Sequence, residues 1–231
     1  FPESIQKALR SLEIGLDGFD DQLINFNKKK LNKNNILSEL KKPLADRLLL
    51  VAQALRFGKS TKEIHKASKI DPWFIDQINR IVVAEKKLKL NGLPRNSDDL
   101  LNIKSLGFSD KKIADLCNIT ESKVLSQRHK NNIRPDFKRI DTCAAEFRAM
   151  TPYMYSTYGK DKSLNNSCES NPSDKKKVII LGSGPNRIGQ GVEFDYCCCH
   201  ASFALKDLKY ETIMINCNPE TVSTDPDTSD R

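Results

Sequence analysis

The run Val178-Ile179-Ile180-Leu181-Gly182-Ser183-Gly184-Pro185-Asn186-Arg187-Ile188-Gly189-Gln190-Gly191 places four apolar residues directly before a glycine-rich turn. A short, continuous apolar run of this kind reads as a buried strand of a parallel sheet. The period then lengthens into a helix from about Phe194 to Leu208, and Thr212 to Asn216 reads as a second strand. Strand, glycine turn, helix and strand make one βαβ unit.

A glycine turn opening a helix can hold a pyrophosphate on backbone N–H groups. The spacing argues against a dinucleotide site. Four residues separate Gly184 from Gly189 where the fingerprint has two, and the second strand ends in Asn216 where the ribose site needs Asp or Glu. Cys197-Cys198-Cys199-His200 is not a metal site either, because consecutive helical residues point about 100° apart and cannot converge on one ion. These cysteines are expected to be small, buried packing residues.

Working toward the N-terminus, Gly159 to Asp174 has linker composition, and everything through residue 150 reads as short helices. Pro43 is expected at N1 of a helix carrying Leu44, Leu48, Val51 and Leu55 and ended by Gly58. Gly58, Ser60, Ile64, Ile70 and Ile75 return as Gly107, Ser109, Ile113, Ile119 and Val124, each at an offset of 49 residues. Ser60 with Glu63 reads as a capping box, Asp71-Pro72 as a second cap, and Ser109 and Thr120 take the same places in the second copy. Each copy is therefore a helix of about eight residues, a tight turn and another helix, a helix-turn-helix. In the first copy that second helix carries Trp73, Phe74, Ile75, Ile78, Ile81 and Val82, which suits packing against helices better than reading a DNA groove. His65 and His129 are expected as ordinary surface or core residues, and Trp73 as a core or interface anchor.

The charge is unevenly spread: residues 177–231 carry five basic and eight acidic groups, while the whole chain of 231 residues has a net charge of +8. The basic excess lies in the helical part, but it is scattered and mostly Lys, which weakens a nucleic-acid reading. Seven cysteines at irregular positions suit a reducing, cytoplasmic compartment. The longest apolar stretch, Leu48 to Ala52, is far too short to span a bilayer. The opening Phe1-Pro2-Glu3-Ser4 reads neither as a signal peptide nor as a natural start.

Beyond these local patterns, the stretches from Ile179 to Tyr196 and from Tyr210 to Asp225 resemble the opening of the second synthetase half in the carbamoyl phosphate synthetase large chain family. Ile140 to Phe147, Tyr153 to Tyr158 and Gln6 to Glu13 share the likeness. Pro226 departs from it, standing where the family pattern suggests an aromatic.

The resemblance implies an α plus α/β architecture: an all-helical oligomerisation domain followed by the first βαβ unit of a parallel-sheet, pre-ATP-grasp domain. Residues 1–13 would be the tail of the carboxyphosphate-forming half, 14–170 the helical domain with its linker, and 171–231 the incomplete start of the carbamoyl phosphate domain. In that family, two ATP with magnesium or manganese join bicarbonate and glutamine-derived ammonia for arginine and pyrimidine biosynthesis. The expected partners are a glutaminase small subunit and further copies of the large/small pair, with no nucleic acid and no membrane. The nucleotide and metal groups lie in ATP-grasp portions, so no catalytic, cofactor or metal residue is expected here and the chain alone is expected to be inactive. A lone βαβ pair, covered on one face only, is also expected to need further strands. Arg187, Gly191 and Glu193 match positions lining the carbamate passage; a local ion pair or cap between Arg187 and Glu193 is the simpler alternative. The other reading of the whole chain is a basic helix-turn-helix binding module fused to a truncated α/β unit.

Overall fold

A computed structural model describes residues 1–20, 31–159, 168–184, 191–218 and 221–231. The chain divides into two compact units, Phe1–Arg134 and Pro135–Arg231.

The first unit is helical: α1 (Pro2–Ser11), α2 (Ile36–Leu40), α3 (Arg47–Arg56), α4 (Thr61–Ser68), α5 (Pro72–Asn91), α6 (Ser97–Ser105), α7 (Asp110–Cys117) and α8 (Glu121–Lys130). Its core gathers Phe19, Ile36, Leu40, Val51, Ile64, Ile75, Ile78, Ile81, Leu88, Phe108, Ile113 and Val124. The duplication is structural as well as textual. Both Ser60 and Ser109 accept from the backbone N–H three residues on, and Ser60 completes its box with Glu63. Ile64 and Ile113 are fully buried, as are Ile75 and Val124. Gly58 and Gly107 both turn with positive φ, +80° and +95°. They differ in surroundings, because a Cβ on Gly107 would come within 2.8 Å of Glu3 Cα on α1, whereas a Cβ on Gly58 would meet nothing within 4 Å.

Helix α3 begins later than the sequence suggests. Its N-cap is Asp46 and not a residue before Pro43, because the chain first makes a turn closed by the Arg47 N–H donating to the Leu44 carbonyl, 3.1 Å. Leu44 is left exposed. Trp73 is likewise outside the core, 52% exposed, and packs edge-on against Phe74 and Phe1. His65 is exposed, with Nδ1 2.8 Å from the Ile70 carbonyl across the turn.

Two salt-bridged clusters tie helices together. Lys104 of α6 and Arg128 of α8 both reach Asp110 of α7, at 2.7 and 3.0 Å. Arg56 of α3 reaches Glu85 of α5 at 2.7 Å, and Lys89 meets the same carboxylate at 2.8 Å.

The second unit opens with an antiparallel pair, β1 (Asp136–Arg139) and β2 (Met154–Thr157), in register Asp136 to Thr157. The sequence gives no sign of β1, whose residues lie within the stretch read as helical: a four-residue, mostly polar strand shows no period of its own and exists through its distant partner. The parallel pair follows, β3 (Lys177–Leu181) and β4 (Glu211–Ile215), joined through α9 (Glu193–Asp207) and paired Lys177 to Glu211 through Leu181 to Ile215. The expected βαβ unit is thus present, each element within a residue of its expected limits.

Helix α9 covers one face of this sheet, burying Cys198, Cys199 and Ser202. The other face stays largely open, with Ile179 and Ile215 57% and 53% exposed. Ile179, Ile213 and Ile215 line a cavity of about 310 Å³ together with Phe137, Ile140 and Met154. Residues 168–171 also belong to this unit: Phe137 N–H donates to Cys168 Sγ, Arg139 N–H to the Glu169 carboxylate, and the Arg231 guanidinium to the Ser170 and Asn171 carbonyls. Residues 135–159 and 168–170 therefore cluster with the strands, where the sequence reading carried the helical domain to 170. Residues 1–13, read as the tail of another half, supply α1, which packs on α5.

Candidate functional site

In open parallel sheets, ligands and passages collect where the strands end at their carboxyl side. Here β3 runs into Gly182-Ser183-Gly184 and β4 into Asn216-Cys217-Asn218. The two exits are laced together by backbone bonds, Gly182 N–H to the Ile215 carbonyl at 2.8 Å and Cys217 N–H to the Ser183 carbonyl at 3.2 Å. Glycine at 182 eases this approach: a Cβ there would lie 3.1 Å from Asn216 Cγ and 3.2 Å from the Ile215 oxygen, so a larger residue would need its neighbours to shift by a few tenths of an ångström. Asn216 turns its amide nitrogen to Thr221 Oγ1 at 2.8 Å. Beyond it, Val222–Thr224 forms one turn of 3-10 helix.

Asp195, in the first turn of α9, receives the N–H groups of Val222 and Ser223 at 3.1 and 3.3 Å. It fastens the 3-10 turn to the start of α9 and is a structural group that sequence reading missed. The partners lie 27 and 28 residues away, so no local spacing could have shown it. An acidic residue in the first turn of a helix is the one available hint.

Of the expected passage residues, Gly191 and Glu193 are brought together. Both are exposed at the start of α9, and the Glu193 side chain folds back over Gly191 so closely that a Cβ there would come 2.9 Å from Glu193 Cδ. The obstruction is the end of a flexible side chain, so a larger residue at 191 would push the carboxylate aside. Arg187 lies outside the described residues, and so does any pairing of it with Glu193.

Only two of the three consecutive cysteines are the buried packing residues expected, because successive helical positions point about 100° apart. Cys198 and Cys199 face inward, where burial with the nearby Asp195 charge pushes both thiols up, while Cys197 is exposed. The ring of His200 packs on Tyr196, tilted by 47°, with centroids 4.1 Å apart.

At the amino ends of the strands, Glu211 is buried and accepts from Arg231 Nε at 2.9 Å and Ser173 Oγ at 2.8 Å. The Arg231 hydrogen bond, helped by Ser173 and Lys177, holds this carboxyl below the usual range. Thr212 and Ser202 continue a buried polar network to Asp230 and the Thr228 carbonyl. These contacts are all internal to the unit, and they fix the segment after residue 221 against β4.

No helix among the described residues is long and apolar enough to cross a membrane. The family model for the carbamoyl-phosphate synthetase large chain oligomerisation domain matches residues 1–132, and that for the carbamoyl phosphate synthase preATP-grasp domain matches residues 174–231. The carbamoyl phosphate synthase large chain of Rhizobium meliloti is 55% identical over the whole of this chain, and that of Pseudomonas aeruginosa 51%. The protein of the same name from Neisseria meningitidis is 51% identical over 99% of it. The chain spans about a fifth of the length of these relatives, 20%, 21% and 20% respectively. With a helical unit and a βαβ unit each matched in turn, the chain belongs to the carbamoyl phosphate synthase large chain family.

Proposed function

We propose that these residues form the central segment of a glutamine-dependent carbamoyl phosphate synthetase. In this reading the full-length chain, with a glutaminase small subunit, uses ATP and a divalent cation to join bicarbonate and ammonia. It does so in the cytoplasm, for arginine and pyrimidine synthesis. The helical unit supplies contacts between copies, and the βαβ unit is a scaffold layer of the second, carbamoyl phosphate-forming half. Residues 1–13 join the segment to the first half. The ATP sites lie elsewhere in the full-length chain, and this segment alone makes no product.

The observation that carries the reading is the close pairing of Gly191 with Glu193 at the carboxyl end of the parallel strands. Together with Arg187 they would form a wall of the passage for carbamate, a labile anion that must be kept from bulk water between two reactions. A residue without a side chain keeps that wall thin, and a carboxylate beside it can accept the carbamate N–H groups. Replacing Gly191 with Phe in the full-length enzyme tests this. ATP hydrolysis is expected to continue while carbamoyl phosphate yield falls by about tenfold or more, the loss a small misplacement at such a site brings. Unchanged coupling would remove the passage role. The segment's lack of activity is tested by assaying residues 1–231 for ATP-dependent product.

A further inference from the structure

Helices α5 and α6 are joined by Gly92-Leu93-Pro94-Arg95-Asn96, and between them lies a cleft of about 880 Å³. Gly92 ends α5 at φ +72°, and Asn96 caps α6 by accepting from the Asp99 N–H. Helical spacing puts Arg80, Val83 and Lys87 on one side of α5, with Ile103 and Leu106 across the cleft on α6. Ala84 and Leu88 are buried beneath them, so the floor is apolar. The rim is not. It carries three cations, Arg80, Lys87 and Arg95, against one carboxylate, Asp99. Arg80 donates to the neutral Gln77 Oε1 at 2.8 Å, and neither the Lys87 nor the Arg95 side chain has a partner among the described residues. Asp99 is already engaged, its Oδ2 holding Asn96 Nδ2 at 2.5 Å. Lys89, two residues beyond Lys87 but turned away from the cleft, is by contrast paired with Glu85 at 2.8 Å. The Arg95 backbone is fixed in place, because its carbonyl accepts from the Gln127 and Asn131 amides at 3.1 and 3.4 Å.

We infer that this cleft is a binding site for a small organic dianion with an apolar body, a phosphate ester or a dicarboxylate. Clefts between the helices of a bundle, of roughly 300–1,000 Å³ and with an apolar floor and a few polar groups, suit a small molecule. A single exposed ion pair contributes little, so three cations on one rim favour a ligand with more than one negative charge. The planar forks of Arg80 and Arg95 grip phosphate and carboxylate oxygens alike, while Lys87 supplies a point charge. Ala84, Leu88, Ile103 and Leu106 reward hydrocarbon in the ligand, which a bare inorganic anion cannot supply.

The test is acetylation of Lys87 by acetic anhydride in the full-length large chain, read by peptide mass spectrometry, with phenyl phosphate and phthalate as separate probes. At a probe concentration several times its Kd, labelling of Lys87 is expected to slow at least about fivefold, while exposed Lys123 on α8 is unaffected. The more protective probe tells a phosphate ester from a dicarboxylate. Failure of both probes to protect Lys87 overturns the proposal, and so does equal protection by inorganic phosphate, which would mark simple charge attraction. Lys87 labelled far more slowly than Lys123 before any probe is added also overturns it, because the cleft is then filled by protein. The Arg95→Gln variant keeps the backbone bonds to Gln127 and Asn131 and is expected to fall below about twofold protection with its melting temperature unchanged. Undiminished protection in that variant contradicts the inference.

Discussion

Lys69 and Asn118 close equivalent helices, α4 and α7, with the same left-handed backbone, φ 62° and 53°. They stand at the same offset that relates the two copies of the helix-turn-helix. Asn tolerates this conformation better than a long side chain does, and Gly best of all. Lys69→Gly is expected to raise stability by about 0.5–1 kcal/mol, and Asn118→Gly by less, in urea denaturation.

Removing a cap hydroxyl should cost both copies alike. Ser60→Ala and Ser109→Ala each leave a first-turn N–H without its acceptor, Glu63 N in one and Lys112 N in the other. A loss of about 1 kcal/mol apiece is expected from chemical denaturation, and the pair should add, because the sites share no partner.

The Asp110 cluster sets the acid limit of the helical unit. Burial pushes the Asp110 carboxyl up, but hydrogen bonds and charge from Lys104, then from Arg128, outweigh it and hold the group below its ordinary 3.8. Burial also pushes the Lys104 ammonium down, against the pull of Asp110. One carboxylate gains from two cations while each cation shares one anion, so the acidic limb is the clearer of the two. A carboxyl with a lowered folded pKa stabilises fully above its unfolded value, and that contribution fades as pH falls below 3.8 through the folded value. Asp110→Ala removes it at neutral pH and leaves Lys104 and Arg128 with the Phe108 and Ile133 carbonyls but without that carboxylate, with an expected loss of about 3–5 kcal/mol. The variant's stability should then vary less with pH below 4 than the parent's, as read from melting temperatures.

Asp195 should govern order in the segment after β4. Asp195→Ala deprives the Val222 and Ser223 N–H groups of their acceptor. Faster hydrogen exchange is expected at Ser223, while Met214 in the strand, bonded to the Arg231 carbonyl at 2.7 Å, should hardly change.

Much of this arrangement could be read from the residues because its determinants are local. Ser60, Glu63, Ser109 and the two glycines at 58 and 107 announce helix starts and turns within a few positions, and the βαβ unit shows its own change of period. What could not be read depends on distance along the chain. β1 has a single large apolar residue, Phe137, and is a strand only because Met154–Thr157 lies beside it. Helix α3 starts after Pro43 and not at it, since the chain first closes a turn through the Arg47 N–H and the Leu44 carbonyl and leaves Leu44 exposed. At the candidate site, Glu193 folds over Gly191, whereas its opposite charge suggested a pairing with Arg187, which lies outside the described residues. The role of Asp195 appears only when residues 222 and 223 are seen to return to it.

The duplication also contains its own control. Alanine at position 58 meets an unfavourable backbone angle and nothing else, whereas at position 107 the same methyl group would collide with the main chain of Glu3. Subtracting the effect of the first exchange from that of the second isolates how firmly the opening helix is seated, a quantity few proteins allow to be measured without altering the helix itself.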